Sequence, residues 1–350
     1  DGDLYDGIWQ DLTLREALEI ANSRDEIKII TYPSGTYAID IMSPLPISSE
    51  LYLLGPDGGL TIEGLSNSQH FIVDDGNPAV PQDVYLQNLN LEGGRNATAG
   101  GGSIFSRENL FIYDCIFTSN TAAKGGAIYQ EGGQLVIQSS IFDTNTGNPG
   151  SGGGIYITDS LFNGFNLVFT WNQFTSAGAD GTCIFLNNSD SIISFSTFVK
   201  NFAIDSATIY SQNSNNTLIV NSVFESNASA PSFMDVEVTS GILNLTGSCV
   251  QSVSPYDNAP FSSGVSPGFI DILTVDFPEG PDGLWKTSLD TLHAADNSRP
   301  MVDIGNESYI PKDWFDADGD GNTTEPFPYD IKGSPRVQGL AVDAGAYESF

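Results

Sequence analysis

Between residues 100 and 260, apolar residues come in short alternating runs rather than at helical spacing. Leu110-Phe111-Ile112-Tyr113, Leu135-Val136-Ile137-Gln138, Ile116-Phe117, Ile141-Phe142 and Val223-Phe224 are such runs, broken every few residues by Gly, Asn, Ser and Asp. Those breakers are the chemistry of turns between strands. No stretch keeps a period of 3.6 for three turns, as helical repeats of this length would. The same alternation begins earlier, through Ile39, Ile41, Leu51, Leu53, Ile62, Phe71, Val73, Val84, Leu86, Leu89 and Leu91. A weaker version follows at Leu243, Leu245 and Val250.

Superimposed on the alternation is a repeat. Asn120, Asn145, Asn172, Asn201 and Asn227 each lie three residues after a Phe, at Phe117, Phe142, Phe169, Phe198 and Phe224. Upstream of each Phe is a small-residue phrase ending in Ile, at Ile104, Ile128, Ile155, Ile184 and Ile209. The Asn spacings are 25, 27, 29 and 26 residues. A unit this short cannot close its own core and must stack on the next. Two or three short strands per unit fit one coil of a right-handed parallel β-helix, each coil climbing about 4.8 Å. The Phe and Ile then form interior ladders, and the Asn forms a ladder of side-chain amides at a bend. The expected architecture is all-β: a solenoid over 1–260 with regular coils at about 100–260, and an irregular C-terminal module over 261–350 packed on the rod.

The N-terminal end carries a helix signature. Thr13 and Glu16 form a capping box, and Leu14, Ala17, Leu18 and Ala21 share one face up to Asn22. Such a helix covers the open end of a β-rod.

Charge narrows the partners. The 350 residues include 44 acidic and 12 basic side chains, a net charge of −32, which excludes a basic nucleic-acid or anionic-membrane surface. Apolar runs are too short for a transmembrane helix. No signal peptide stands at Asp1, as expected of a chain cut after export to an extracellular or cell-surface location. Cys115, Cys183 and Cys249 lie 68 and 66 residues apart without a CxxC or a nearby His, arguing against zinc and against a disulfide framework.

The C-terminal hundred residues are rich in Pro, Gly and Asp. Asp316, Asp318 and Asp320, followed by Gly321, place carboxylates at alternate positions, the pattern by which a loop wraps a hard cation. Calcium is the expected ion, with Glu325 or a carbonyl completing its shell; Phe327 stands where an EF-hand needs Glu.

Aromatic residues follow the Ile ladder by one position. Phe105, Tyr129, Tyr156, Phe185 and Tyr210 should therefore point outward, as candidates for sugar stacking or lateral packing, unless the C-terminal segment or a loop covers them. Catalytic groups are harder to find. Lyases on such rods need Lys or Arg, and the coils hold Arg107, Lys124 and Lys200, widely spaced. Glycoside hydrolases use clustered carboxylates, and Asp74-Asp75 is the one pair near the coils of that kind. Asp114, Asp143, Asp159, Asp180, Asp190 and Asp205 fall mostly at turns, and His70 and His293 bear no spacing relation to a nucleophile. No catalytic or cofactor-binding residue is assigned.

Several phrases match a known family. Leu12–Asn22 resembles the CSLREA-type N-terminal segment of secreted bacterial right-handed β-helix proteins, without its leading Cys, and the Gly-Gly-Ala-Ile coils resemble polymorphic outer-membrane-type repeats. Asp330-Ile331-Lys332-Gly333-Ser334-Pro335-Arg336 and Val342-Asp343-Ala344-Gly345-Ala346-Tyr347-Glu348 resemble the choice-of-anchor Q terminal module. Met301–Asn306 and Pro267–Asp271 resemble its upstream phrases. The resemblance implies export and the β-helix, and no single activity, because the fold hosts lyases, hydrolases, adhesins and structural proteins. The expectation is an extracellular, calcium-stabilised rod of the surface or matrix. It would act without catalysis, by self-association into filaments or by glycan contact. The alternative is a polysaccharide lyase or glycoside hydrolase on the same fold.

Overall fold

The alternating runs fold as strands that pair in parallel, coil after coil. A computed structural model describes residues 12–24, 26, 28–174, 179–202, 206–225, 227, 234–250, 284–286, 290, 292, 294, 298–313 and 315–348. It also pairs the short strands Asp3–Leu4, Val253–Ser254 and Phe261–Ser263. The chain winds a β-solenoid of about 8 turns.

Three long sheets make its faces. Face 1 has nine strands: Lys28–Thr31, Leu51–Leu54, Asp83–Gln87, Asn109–Tyr113, Gln134–Gln138, Leu161–Phe165, Ser191–Ser194, Asn216–Val220 and Ile242–Thr246. Face 2 has ten, from Tyr37–Asp40 through Leu89–Glu92, Ile116–Thr118, Ile141–Asp143, Val168–Thr170, Thr197–Val199 and Val223–Glu225 to Phe261–Ser263. Face 3 has nine, from Leu45–Ile47 through Phe71–Val73, Ile104–Ser106, Ile128–Glu131, Ile155–Thr158, Ile184–Asn187 and Ala207–Gln212 to Val253–Ser254. A short fourth sheet of Arg95–Gly100, Thr121–Lys124, Thr146–Gly147 and Gln173–Phe174 bridges faces 2 and 3.

Registers stack equivalent residues. On face 2, Phe117, Phe142, Phe169, Phe198 and Phe224 pair rung to rung, fully buried. Their rings stack at 4.7, 4.7, 5.0 and 4.6 Å. On face 3, Ile104, Ile128, Ile155, Ile184 and Ile209 form the second interior ladder.

The bend after face 2 explains the recurring Asn. Ser119, Thr144, Trp171 and Lys200 each adopt a left-handed backbone, with φ near 57°, 54°, 53° and 54°. The following Asn repairs the turn. Asn145 Nδ2 donates to Phe117 O at 2.9 Å and to Asn172 Oδ1 at 3.0 Å, while Asn145 N also donates to Asn172 Oδ1 at 3.1 Å. Asn120, Asn172 and Asn201 repeat the pattern. Each buried amide thus bonds the coil before it and the coil after it, and its oxygen satisfies the bend N–H of the preceding coil's Asn.

The helix Leu14–Asn22 opens with the capping box of Thr13 and Glu16 and buries Leu14, Leu18 and Ala21. Asn22 and Arg15 donate to the carbonyls of Pro46, Pro44 and Ser43 on the first coil. The helix thereby covers that end of the core.

The C-terminal residues lie across the outer side of face 2. Met301, Ile331, Ala344, Ala346 and Tyr347 pack on Ile141, Val168, Val223 and Cys249, and Ala346 N donates to Thr197 Oγ1 at 2.9 Å. Arg336 is buried at the corner beside face 1. Its guanidinium donates to Asn166 Oδ1, Gly345 O and Glu348, and lies 4.8 Å from the centre of the Phe195 ring. All three cysteines are buried free thiols.

Candidate functional site

Strand alternation turns the residue after each ladder Ile outward, and on face 3 that residue is aromatic. Phe105, Tyr129, Tyr156, Phe185 and Tyr210 stand in one column by register. Their ring centres are 5.5, 5.2, 4.6 and 5.5 Å apart. Phe185 is buried and the other four are half-buried. Among the described residues, the C-terminal segment packs on face 2 and not on this column. The rings of Tyr156, Phe185 and Tyr210 are close to parallel, 15° and 11° between planes. Their flat faces therefore contact each other, and they offer ring edges and phenol hydroxyls outward. Tyr129 breaks the series, at 87° to Tyr156 and 59° to Phe105.

A polar row runs beside the column, two residues further along each strand: Arg107, Glu131, Thr158, Asn187 and Gln212. Asn187 Nδ2 donates to Thr158 Oγ1 at 3.0 Å, and Gln212 Nε2 to Asn187 Oδ1 at 3.2 Å. Arg107 sits 5.1 Å over Phe105 and pairs with Asp74 at 3.0 Å and Glu131 at 2.8 Å. Lys124 Nζ lies 5.0 Å over Tyr156 and 5.8 Å over Tyr129. Two of the three coil cations are thus held on this column by ring quadrupoles. Burial, with Glu131 adding repulsion, pushes the Tyr129 phenol up to about 12, so it remains a neutral donor.

At the lower end of the polar row, Asp74, Asp75 and Glu108 bring carboxylate oxygens within 4.8 Å of one another. Glu108 is 1% exposed; its oxygens accept from Asp75 N at 2.8 Å and Gln82 N at 2.6 Å. Burial, and the neighbouring Asp75 charge, raise its pKa. The sequence reading found the adjacent pair and missed Glu108. The signal was present: Ser106 pairs with Val73, so Glu108 and Asp75 hold the same place in successive coils.

The C-terminal acidic loop is also drawn together. Asp316, Asp318 and Asp320 form one triad with oxygens within 4.8 Å. Glu325 does not complete that triad; it forms a second with Asp318 and Asp313, a residue the sequence reading omitted. Asp313 is fully buried and accepts from Ala317 N at 2.9 Å. Burial raises its pKa, with Asp318 and Asp316 adding to the shift. Glu325 is likewise shifted up by desolvation and by Asp320 and Asp318, and its Oε1 has no accessible surface and no partner. Gly319 and Gly321, at φ 74° and 85°, make the reversals that turn these oxygens inward. Phe315 stacks on Tyr113 at 4.8 Å and Phe327 packs edge-on against Phe165, so the loop is anchored to the flank of face 1.

His70 is fully buried. Its Nε2 lies 3.0 Å from Glu92 O and its Nδ1 2.9 Å from Ser103 Oγ, the pattern of a neutral ring. Desolvation lowers its pKa to about 4. His293, Asp205 and Pro267–Asp271 lie outside the described residues. No helix among the described residues is long and apolar enough to cross a membrane.

No protein-family model and no solved structure matches the chain. A curated relative, the metabotropic glutamate receptor-like protein R of Dictyostelium discoideum, is 34% identical over 134 residues, 38% of this chain. The matched part spans 8% of that protein's length.

Proposed function

We propose that the protein is an extracellular, non-catalytic rod of the cell surface or matrix that works by contact, with glycans or with copies of itself. The aromatic column of face 3, running beside a row of hydroxyls and amides, carries the reading. A polar row of this kind suits hydroxyl-rich ligands, and the acidic groups around it disfavour anionic ones. The likeness of residues 12–22, 301–306, 330–336 and 342–348 to segments of secreted β-helix proteins supports export, and a receptor-like relative accords with it. The test is a glycan array with Tyr129→Ala and Asn187→Ala beside the parent protein. Neutral glycans should bind, and both variants should bind less. No binding to any glycan by the parent chain would remove that half of the proposal.

Calcium belongs to the same reading. The C-terminal loop offers two triads of hard oxygen donors that share Asp318, each with oxygens within 4.8 Å, close enough for an ion at about 2.3–2.6 Å from each donor. Asp316, Asp318 and Asp320 would hold it, with Asp313 and Glu325 on the other side of Asp318. Bound ion cancels carboxylate repulsion and fixes the loop against Tyr113. Calcium at about a hundredfold over Kd should add about 2.7 kcal/mol of stability. Chelation should reverse that, and Asp318→Ala should abolish the difference.

A second reading rests on Glu108. A buried carboxyl whose pKa burial raises, set close to Asp75 and Asp74, is the kind of carboxyl cluster glycoside hydrolysis uses. Cleavage of a neutral polysaccharide, lost in Glu108→Gln, would replace the non-catalytic proposal with this one.

A further inference from the structure

The outer side of face 1 differs from the rest of this acidic chain. Lys28 and Asp83 are the charged residues in its nine strands, although the protein carries a net charge of −32. By register, one outward row runs the length of the face: Ile29, Tyr52, Tyr85, Phe111, Val136, Asn163, Ile192, Leu218 and Asn244. Tyr52, Tyr85 and Phe111 stack at 4.1 and 4.5 Å, an outward ladder that sequence reading missed. Large apolar side chains stay in water along this face: Ile29 is 64% exposed, Leu161 57%, Ile192 44% and Ile242 54%. The far edge of the upper rungs is already covered, where Phe327 packs on Tyr113 and Phe165. Within the row, Ile29 and Ile192 are exposed, Val136 is buried at 5%, and the others are half-buried.

We infer that this face docks a second copy of the chain, rod beside rod. The inference rests on the self-association half of the proposed function and assigns it a surface. Two chains of this charge repel wherever their acidic surfaces meet. They can approach closely only where charge is absent, and depletion of charge with aromatic enrichment is the mark of an interface centre. Size agrees with a weak, reversible contact. Nine strands at about 4.8 Å span roughly 38 Å. With a free width of roughly 13 Å, each copy offers on the order of 500 Å², below the roughly 800 Å² per partner of a standard stable interface. The same rung spacing on both copies lets the apolar projections of one lie between those of the other.

Sedimentation of the whole chain across protein concentration, at about 0.1 M and 1 M salt, tests this. Shortening the Debye length from about 10 to 3 Å removes repulsion, so dimer should increase with salt. Ile192→Asp should weaken association about tenfold or more, a loss of about 1.4 kcal/mol. Ile192 is exposed, so the variant should keep the parent melting temperature. Thr158→Asp, on face 3, should leave association unchanged. A chain that stays monomeric at high salt overturns the inference but leaves glycan binding on face 3 standing. Association unaffected by Ile192→Asp but lost in Thr158→Asp overturns it and moves self-association to face 3.

Discussion

Phe169 and Arg336 are both buried, by opposite means. Phe169 lies between Phe142 and Phe198, which are copies of itself one coil away. Arg336 lies among Asn166, Glu348, Phe165 and Phe195, none of which resembles it. In the coils the rule is like upon like. One residue type at one place per coil is enough, because a 4.8 Å rise brings it onto its copy. In the C-terminal residues every contact is singular. Asp330 accepts from Lys332 N, Ser334 N and Glu348 N, and Asp303 from Leu340 N and Ala341 N. A ladder distributes a defect over its neighbours; a singular contact concentrates it.

That difference can be broken at its strongest point first. Phe169→Ala should cost about 3–5 kcal/mol as a core truncation, with loosening that reaches Phe142 and Phe198. Hydrogen exchange should show faster exchange in the strands on both sides; faster exchange in its own strand alone would contradict a shared column. Arg336→Ala breaks a buried ion pair and should also cost about 3–5 kcal/mol. Here the damage should stay local, with limited proteolysis releasing the C-terminal segment while the coils keep their β-sheet circular dichroism.

Acid separates the regions further. His70 is held neutral by burial, with its pKa lowered from 6.5 to about 4. A histidine depressed in the fold contributes stability that is present above pH 6.5 and lost as pH falls through about 4. The loss across that window is about 3 kcal/mol at 1.36 kcal/mol per unit. Denaturation midpoints at pH 7 and pH 4 should show it, and His70→Gln should remove this component. Last and smallest, Thr144 is a β-branched, exposed residue in a left-handed bend at φ 54°. Thr144→Asn should stabilise by about 1 kcal/mol, because Asn tolerates that backbone. No gain in melting temperature would mean that the bend carries little strain.

The rod was legible because its signals recur. The Phe and Asn spacings repeat often enough to mark the coil, and the register of the outward aromatics follows from alternation. The Tyr52–Tyr85–Phe111 ladder was missed because two of its three rungs, Tyr52 and Tyr85, lie in early coils where the Asn and Phe signal is absent. Ring orientation was not legible either. Whether Tyr156 stacks on Phe185 or turns its face outward depends on neighbours such as Lys124, 5.0 Å over its ring, and Tyr129, which occupies the space a side chain at Gly100 would fill. At the acidic sites, alternation of Asp316, Asp318 and Asp320 shows in the chain. Asp313 does not, because it joins its partners only through the bend of the loop, and Glu108 shows only once the coil register sets it level with Asp75.

The amide ladder also bears on how the rod behaves under tension. Each buried Asn grips the coil on either side, so interior coils are held twice and an end coil once. Pulled from its termini, such a rod should not give way in the middle. It should peel from an end, a coil at a time, in small equal steps that lengthen the chain while the remainder stays intact. The first coil to leave is set by whichever end is fastened less firmly. The capped helix end and the C-terminal segment across face 2 are therefore the clamps of a spring, and they determine the force at which it begins to pay out.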